Sequence, residues 1–172
     1  MRTLHVGLRV SDLERSLAFY AAVGYTVAGS VEGTPFGTLF MLRLPGDEFV
    51  TIELVYDPAR GAVDLGTGLN HLVIQVESLE ETLAGLAARG IAADPPVAPG
   101  GTDGPRTSWI TDPDGYRIEL VQWPPGHADG MTEADFACGC LRLGAGSEAA
   151  FRGWPPGVPW RGCLRCSYVR AF

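Results

Sequence analysis

The sequence repeats itself at an offset of 66 residues. His5 and His71 stand at matching places near the start of the two copies, and Glu53 and Glu119 at matching places near their ends. Apolar and glycine positions keep the same offset: the matched pairs are Val10 and Val76, Leu13 and Leu79, Leu17 and Leu83, and Gly24 and Gly90. Matches at so many constrained positions predict two copies of one structural unit.

Each copy begins with a strand followed by a helix. Apolar and polar residues alternate at 4–10 and again at 71–76, which is typical of a strand with one buried face. Leucines at helical spacing follow in both copies, with Ser11 or Asp12 as the N-cap of the first helix and Ser78 as that of the second. We expect the two helices to cover the apolar face of a sheet.

Three more strands complete each copy. The strand-like runs are 25–31, 38–44 and 49–56 in the first copy, and 91–93, 106–111 and 116–123 in the second, where a Pro- and Gly-rich loop occupies 94–105. The predicted organisation is therefore two β-α-β-β-β modules, at 1–56 and 71–125, joined by a linker at 57–70.

Acidic residues dominate the repeat region. Residues 1–136 carry 8 arginines against 19 acidic residues, so nucleic acid is an unfavourable partner. No apolar run approaches the length of a membrane span, and the amino end has no signal-peptide features. We expect a cytoplasmic protein that does not bind a membrane.

The tail at 126–172 differs in composition from both modules. It is rich in Gly, Pro and Arg and contains all four cysteines, which are Cys138, Cys140, Cys163 and Cys166. Cys-x-Cys with Cys-x-x-Cys can hold a structural zinc, but the first spacing is atypical and the segment offers little core. We expect a peripheral or disordered extension.

Strand alternation places four ionisable residues on one face, called the cup. His5 and His71 lie opposite the apolar positions of their strands, and Glu53 and Glu119 lie opposite those of theirs. A lone His or Glu on a strand is more often structural, but one repeat relates all four. Two imidazoles and two carboxylates suit a divalent metal with room for water, as in an open catalytic site rather than a closed structural one.

The motifs of both modules resemble those of the vicinal oxygen chelate superfamily and, within it, glyoxalase I. The motifs that carry the resemblance are residues 4–13, 52–56, 64–67, 70–71 and the run Asp112-Pro-Asp-Gly-Tyr-Arg-Ile-Glu-Leu120. The resemblance covers residues 2–123. It implies an α+β fold in which tandem modules form an open, barrel-like eight-stranded sheet with the helices on its outer face.

The resemblance implies a lyase of methylglyoxal detoxification. Its substrate is the hemithioacetal of methylglyoxal and a low-molecular-weight thiol such as glutathione, isomerised to the S-D-lactoyl thioester through a metal-bound enediolate. The implied metal ligands are His5, Glu53, His71 and Glu119, with Glu119 as the base and Glu53 as a second catalytic carboxylate. Nickel or cobalt is the implied metal, zinc is the alternative, and a homodimer completes the site at its subunit interface.

Three further residues are candidates for substrate binding. Arg9 lies on the His5 face and has the family position for a glutathione carboxylate, with a surface ion pair as the other explanation. Gln75 matches Arg9 in the repeat and is expected to line the cup. Asp57 stands where glutathione-using relatives often have Asn, and its charge opposes an anionic tripeptide. Another thiol, such as mycothiol, therefore stays open.

Three alternative activities within the superfamily are also considered. Extradiol dioxygenases and thiol-transferring antibiotic-resistance enzymes use two histidines and one glutamate, so the presence of Glu53 disfavours them. A bleomycin-resistance-type module binds a drug without metal and lacks the four ligands. The intact set in this sequence counts against it.

Overall fold

The computed structural model describes residues 1–99, 101, 104–127 and 129–131. Seven strands and two α-helices lie in these ranges: β1 Val6–Val10, α1 Leu13–Val23, β2 Thr26–Thr34, β3 Gly37–Arg43, β4 Ile52–Tyr56, β5 Leu72–Gln75, α2 Leu79–Ala88, β6 Arg106–Thr111 and β7 Arg117–Gln122. The linker contains one 3-10 turn, Pro58–Arg60. Neither helix in the described ranges is long and apolar enough to cross a membrane.

The strands form two mixed sheets. The first has the order β1-β4-β3-β2, with β1 parallel to β4, and the second has the order β5-β7-β6, with β5 parallel to β7. The register repeats as well, because Gly7 pairs with Glu53 in the first sheet and Val73 pairs with Glu119 in the second. The sequence repeat is therefore a repeat of structure, and it places each glutamate beside the strand that follows its histidine.

The predicted strand at 91–93 is wrong. Ala93 and Val97 make only isolated bridges to β6, and between them stand Pro95 and Pro96. Proline has no backbone N–H to donate to a ladder, so this segment follows β6 without becoming a strand. The described residues thus form a four-stranded and a three-stranded sheet, and the predicted eight-stranded barrel-like sheet is not confirmed.

The helices and one face of the sheets share a core. Its buried apolar side chains include Leu8, Val10, Ile52 and Leu54 from the first sheet, Ile74, Ile118 and Leu120 from the second, and Phe19, Tyr20, Leu79 and Leu86 from the helices. These are the apolar members of each alternating strand, as the sequence predicts. The intervening residues of β1 and β4 are left on the opposite face, where His5 and Glu53 lie.

A polar joint, buried at Tyr20 and Asp112 and exposed at Ser11, connects the second module with the first. Asp112, in the turn after β6, accepts a hydrogen bond from the Tyr20 hydroxyl at 3.1 Å. Asp114 accepts one from the Ser11 backbone N–H at 3.1 Å and another from the Ser11 hydroxyl. Burial is the largest cause that raises the pKa of both Tyr20 and Asp112. The Asp-Pro-Asp-Gly turn therefore positions β7 relative to α1.

Candidate active site

The first half-site consists of His5 and Glu53. His5 directly precedes β1 and Glu53 lies in β4, and their Nε2 and Oε2 atoms are 3.5 Å apart. Gly7 faces the glutamate, and a Cβ at that position would lie 3.4 Å from Glu53 Oε1. Because glycine has no side chain, there is space beside the Glu53 carboxylate, and a larger residue at this position would fill part of it.

The second half-site consists of His71 and Glu119. His71 Nε2 lies 3.7 Å from Glu119 Oε2, and His71 Nδ1 lies 2.6 Å from Asn70 Oδ1. Because an amide oxygen only accepts, Nδ1 carries the proton and Nε2 presents its lone pair. The Trp109 ring meets His71 edge-on at 5.0 Å, and Trp109 pairs with Glu119 across the sheet. This half-site is enclosed on one side by an aromatic ring.

Burial distinguishes the two glutamates. The Glu119 side chain is 2% exposed, whereas that of Glu53 is 15% exposed. Glu119 lies opposite Trp109 across its sheet, whereas Glu53 lies opposite the smaller Met41. The carboxylate of the second half-site is thus the better shielded from water.

The four predicted metal ligands come together as two pairs. Among the described residues, no three of His, Cys, Asp and Glu are close enough together to hold one metal ion. Each pair alone has suitable chemistry, since ligands at about 2.1 Å from a metal and at right angles lie about 3 Å apart. The observed separations of 3.5 and 3.7 Å are close to that value. Each half-site thus has two donors among the described residues, fewer than a metal site in a protein usually has.

An apolar pocket of about 490 Å³ adjoins the second half-site. Besides the His71–Glu119 pair, its lining consists of Val73, Gln75, Val121, Trp123, Gly130 and Met131. The chain beyond β7 returns to this pocket, where Gln75 Nε2 donates to Asp129 Oδ1 at 2.6 Å and Gly130 N donates to Gln75 Oε1 at 2.9 Å. Residues 129–131 of the predicted tail thus contact the second module, while residues 132–172 lie outside the described ranges. The predicted zinc alternative for the four cysteines lies there too.

Arg9 and Asp57 both contact the linker. The Arg9 guanidinium donates through Nη2 to the backbone carbonyls of residues 61–62, and its Nη1 is buried without a hydrogen-bond partner in the described residues. Asp57 caps the 3-10 turn and pairs with Arg60 Nε at 3.2 Å. Direct substrate contact by either residue stays a prediction. Of the three substrate-binding candidates, Gln75 is the one that lines the pocket.

Three residues at the second half-site were missed by the sequence analysis. Asn70 has a signal, because it directly precedes His71 and carries an oxygen that can accept from the ring N–H that does not face a metal. Trp109 has none, since only the pairing of β6 with β7 brings it to His71 and Glu119. Met131 lies in the segment expected to be peripheral, and hydrogen bonds to Gln75 bring its neighbours to the pocket.

Comparison with known proteins identifies the family. The profile of the Glyoxalase/Bleomycin resistance protein/Dioxygenase superfamily matches residues 2–120. A probable lactoylglutathione lyase of Vibrio parahaemolyticus is 34% identical over 126 residues, which are 70% of this chain and 90% of the relative.

Two solved structures have similar folds. The trypanothione-dependent glyoxalase I of Leishmania major is 28% identical with a TM-score of 0.59, over 71% of this chain and 86% of that one. An antibiotic binding protein from a Streptomyces species is 25% identical with a TM-score of 0.54, over 72% of this chain and 97% of that one. The chain belongs to the Glyoxalase/Bleomycin resistance protein/Dioxygenase superfamily.

Proposed function

We propose that the protein is a metal-dependent glyoxalase I. It would isomerise the hemithioacetal of methylglyoxal and a low-molecular-weight thiol of the cytoplasm to the S-D-lactoyl thioester. The observation that carries the proposal is the presence of two His–Glu half-sites at matching repeat positions. The names of the sequence relatives, lactoylglutathione lyases from several bacteria, agree with this activity.

The four half-site residues would hold one divalent metal ion. Imidazole and carboxylate donors without a thiolate suit nickel or cobalt, with zinc as the alternative. The bound ion would supply Lewis-acid stabilisation of the negative charge that develops on the two adjacent substrate oxygens. Asn70 keeps the Nε2 lone pair of His71 available, and Gly7 keeps the approach to Glu53 open.

Glu119 would act as the base that moves the proton. Its carboxylate is shielded from bulk water and borders the apolar pocket, so a proton held there exchanges slowly with solvent. Glu119 would take the C1 proton and return it to C2, while the proton of the C1 hydroxyl passes to the C2 oxygen, so the hemithioacetal becomes its isomeric thioester without net proton change. Glu53 would be the second carboxylate, and the more exposed of the two.

The homodimer is part of the proposal, because each half-site has two donors in the part of the chain that the structure describes. Apolar side chains beside the half-sites are exposed, with Leu4 at 55%, Val73 at 57% and Met131 at 49%. If the first half-site of one chain faces the second half-site of its partner, four ligands meet and these side chains lose contact with water. A symmetric pair of chains would then contain two identical sites.

The thiol is proposed only as a class. The charge of Asp57, which argues against glutathione, is offset by its ion pair with Arg60. Arg9 Nη1 is buried without a hydrogen-bond partner among the described residues, and it would donate to a thiol carboxylate only after the side chain turns outward. Glutathione and a similar small thiol therefore both agree with this part of the chain.

A drug-binding module is the second candidate. The observation that favours it is the apolar pocket, whose volume of about 490 Å³ suits an aromatic compound of drug size. Such a module would bind its ligand whether or not a metal is present. Metal-independent binding of a drug does not require the two matching His–Glu pairs, so their presence favours the metal-dependent enzyme.

Metal reconstitution distinguishes the two candidates. The full-length protein is stripped of metal, reloaded with Ni²⁺, Co²⁺ or Zn²⁺, and mixed with methylglyoxal and either glutathione or mycothiol. We expect ultraviolet absorbance of the thioester to rise only after reloading. Absence of thioester with every metal and thiol, together with tight metal-independent binding of an aromatic drug, would identify a binding module instead.

A further inference from the structure

We propose that Gln75 is a positioning residue that fastens the strap, defined as residues 129–131, over the second half-site. The strap would form one wall of the apolar pocket, so Gln75 would set which substrates bind well there. This inference rests on the proposed function for its substrate class, a hemithioacetal of a 2-oxoaldehyde. The latch, defined as the two hydrogen bonds between the Gln75 amide and the strap, is observed independently of any reaction.

Both ends of the Gln75 amide contact the strap. Nε2 donates to Asp129 Oδ1 at 2.6 Å, and Oε1 accepts from Gly130 N at 2.9 Å. Because one planar amide donates one hydrogen bond and accepts the other, it fixes both the orientation of the strap and its distance from β5. The bond to Asp129 involves a charged acceptor, and bonds of that kind are stronger than those between neutral groups.

The strap depends on such external contacts. Gly126 and Gly130 have φ values of 79° and 67°, in the left-handed region that favours glycine. A segment with glycines at these turns has little intrinsic preference for one path. The Trp123 and His127 rings stack in parallel at 4.4 Å and hold the chain just before the strap. Gln75 then fixes the direction in which the strap continues.

Among the described residues, the pocket lining that comes from beyond Trp123 belongs to the strap. Val73 and Val121 form the floor from the sheet, and Gly130 and Met131 form the wall that the strap carries. Because the floor is rigid and the wall is held by two hydrogen bonds, the latch controls the width of the pocket. A substrate with a large apolar group gains more from that wall than one with a methyl group.

Three variants separate the latch from a general structural role. Gln75→Glu removes the donor to Asp129 and sets two carboxylates against each other. The double variant Gln75→Glu/Asp129→Asn restores a donor and an acceptor with their roles exchanged, while an oxygen still accepts from Gly130 N. Asp129→Asn alone keeps an acceptor for Gln75 and is the matched control. Gln75 is exposed, so each variant should keep the fold.

Two readouts use the metal-free protein. Amide hydrogen exchange over residues 126–131 reports how firmly the strap is held, and fluorescence of the neutral probe N-phenyl-1-naphthylamine reports the pocket. We expect Gln75→Glu to speed exchange about tenfold and to weaken probe binding about fivefold. The double variant and the control should stay within about twofold of the original protein.

The third readout is substrate selectivity after metal loading. The ratio of kcat/KM for the phenylglyoxal hemithioacetal to that for the methylglyoxal hemithioacetal should fall about tenfold in Gln75→Glu. The double variant should restore it. An unchanged ratio would overturn the role in selectivity even if exchange responds.

The remaining outcomes are also decisive. If Gln75→Glu changes neither the amide exchange rate of residues 126–131 nor the affinity for the fluorescent probe, the latch proposal is wrong. It is also wrong if these quantities change but the double variant does not restore them. If no variant isomerises any hemithioacetal while exchange and probe binding respond as expected, the proposed function fails and the latch stands.

Discussion

Glu53 and Glu119 occupy matching positions in the repeat but have different surroundings. Glu53 lies opposite Met41 and is partly open to solvent, whereas Glu119 lies opposite Trp109 and borders the apolar pocket. A base that must retain a proton between two carbon atoms benefits from shielding. At the scale of the residue, burial therefore favours Glu119 over Glu53 as the base, although the two positions are equivalent in the sequence repeat.

Substitution of each glutamate tests this assignment. Glu119→Gln should keep the fold and lower kcat about 10²- to 10⁴-fold, because the amide cannot take the proton. Glu53→Gln, the matched variant, should mainly weaken metal binding. Steady-state kinetics and metal titration on both proteins separate these effects. The opposite pattern, with turnover lost only in Glu53→Gln, would assign the base to Glu53.

Asn70 orients His71, and its removal should weaken metal binding. Its Oδ1 accepts from His71 Nδ1 at 2.6 Å, which fixes the ring and its tautomer. Asn70→Ala should reduce metal affinity about 10- to 100-fold. Asn70→Asp keeps an acceptor oxygen and serves as the control. Equal affinities for both variants and the original protein, measured by calorimetric titration, would remove this role.

At the scale of the element, two buried tyrosines lie at the end of α1, with Tyr20 inside the helix and Tyr25 between it and β2. The Tyr20 and Tyr25 rings meet edge-on at 5.7 Å, and the Tyr25 N–H donates to the Tyr20 carbonyl. Burial is the main cause that raises the pKa of Tyr25 from its ordinary 10.0 to about 12. The folded protein therefore disfavours the tyrosinate more than the unfolded chain does.

This shift predicts a loss of stability in alkali. Because the pKa is raised on folding, the contribution of neutral Tyr25 is complete below pH 10 and disappears as the pH rises through about 12. Its size is about 2 to 3 kcal/mol. The other four tyrosines also titrate near this window in the unfolded chain, so the comparison with Tyr25→Phe is what isolates the contribution of Tyr25. Denaturant unfolding from pH 9 to 12 should show a steeper decline for the original protein than for Tyr25→Phe. Parallel declines would refute the prediction.

The segment 91–105 shows where reading elements from a sequence fails. The apolar residues at 91–93 predict a strand, yet Pro95 and Pro96 interrupt the row of donors that a strand needs. The segment still follows β6 through two bridges. The helices and the other strands were predicted within a few residues of their bounds, because alternation and capping are local properties of the chain.

At the scale of the whole molecule, the division of four ligands into two half-sites predicts complementation between inactive chains. One variant carries His5→Ala/Glu53→Ala and the other carries His71→Ala/Glu119→Ala. In a mixed dimer with shared sites, one site is intact and the other has lost all four ligands. Random assortment should therefore restore about a quarter of full activity. Activity is measured after the two proteins are unfolded and refolded together.

The two variants refolded separately are the controls, and each should be inactive. A mixture that also stays inactive, although sizing chromatography shows dimers, would place each complete site within one chain. Activity in one of the separate variants would show that two ligands suffice. Both results would contradict the shared-site proposal.

The sequence by itself determined the repeat, the order of elements in the first module, and the face on which each candidate ligand lies, because these follow from local periodicity at a fixed offset. It also determined the family, since the motifs lie within the repeat. Only the tertiary structure decided that the four candidate ligands form two pairs, that Glu119 is buried and Glu53 partly open, and that residues 129–131 contact Gln75. These depend on contacts between residues far apart in the chain, whose distances and burial arise only when the sheets, the joint at Asp112 and the returning segment pack together.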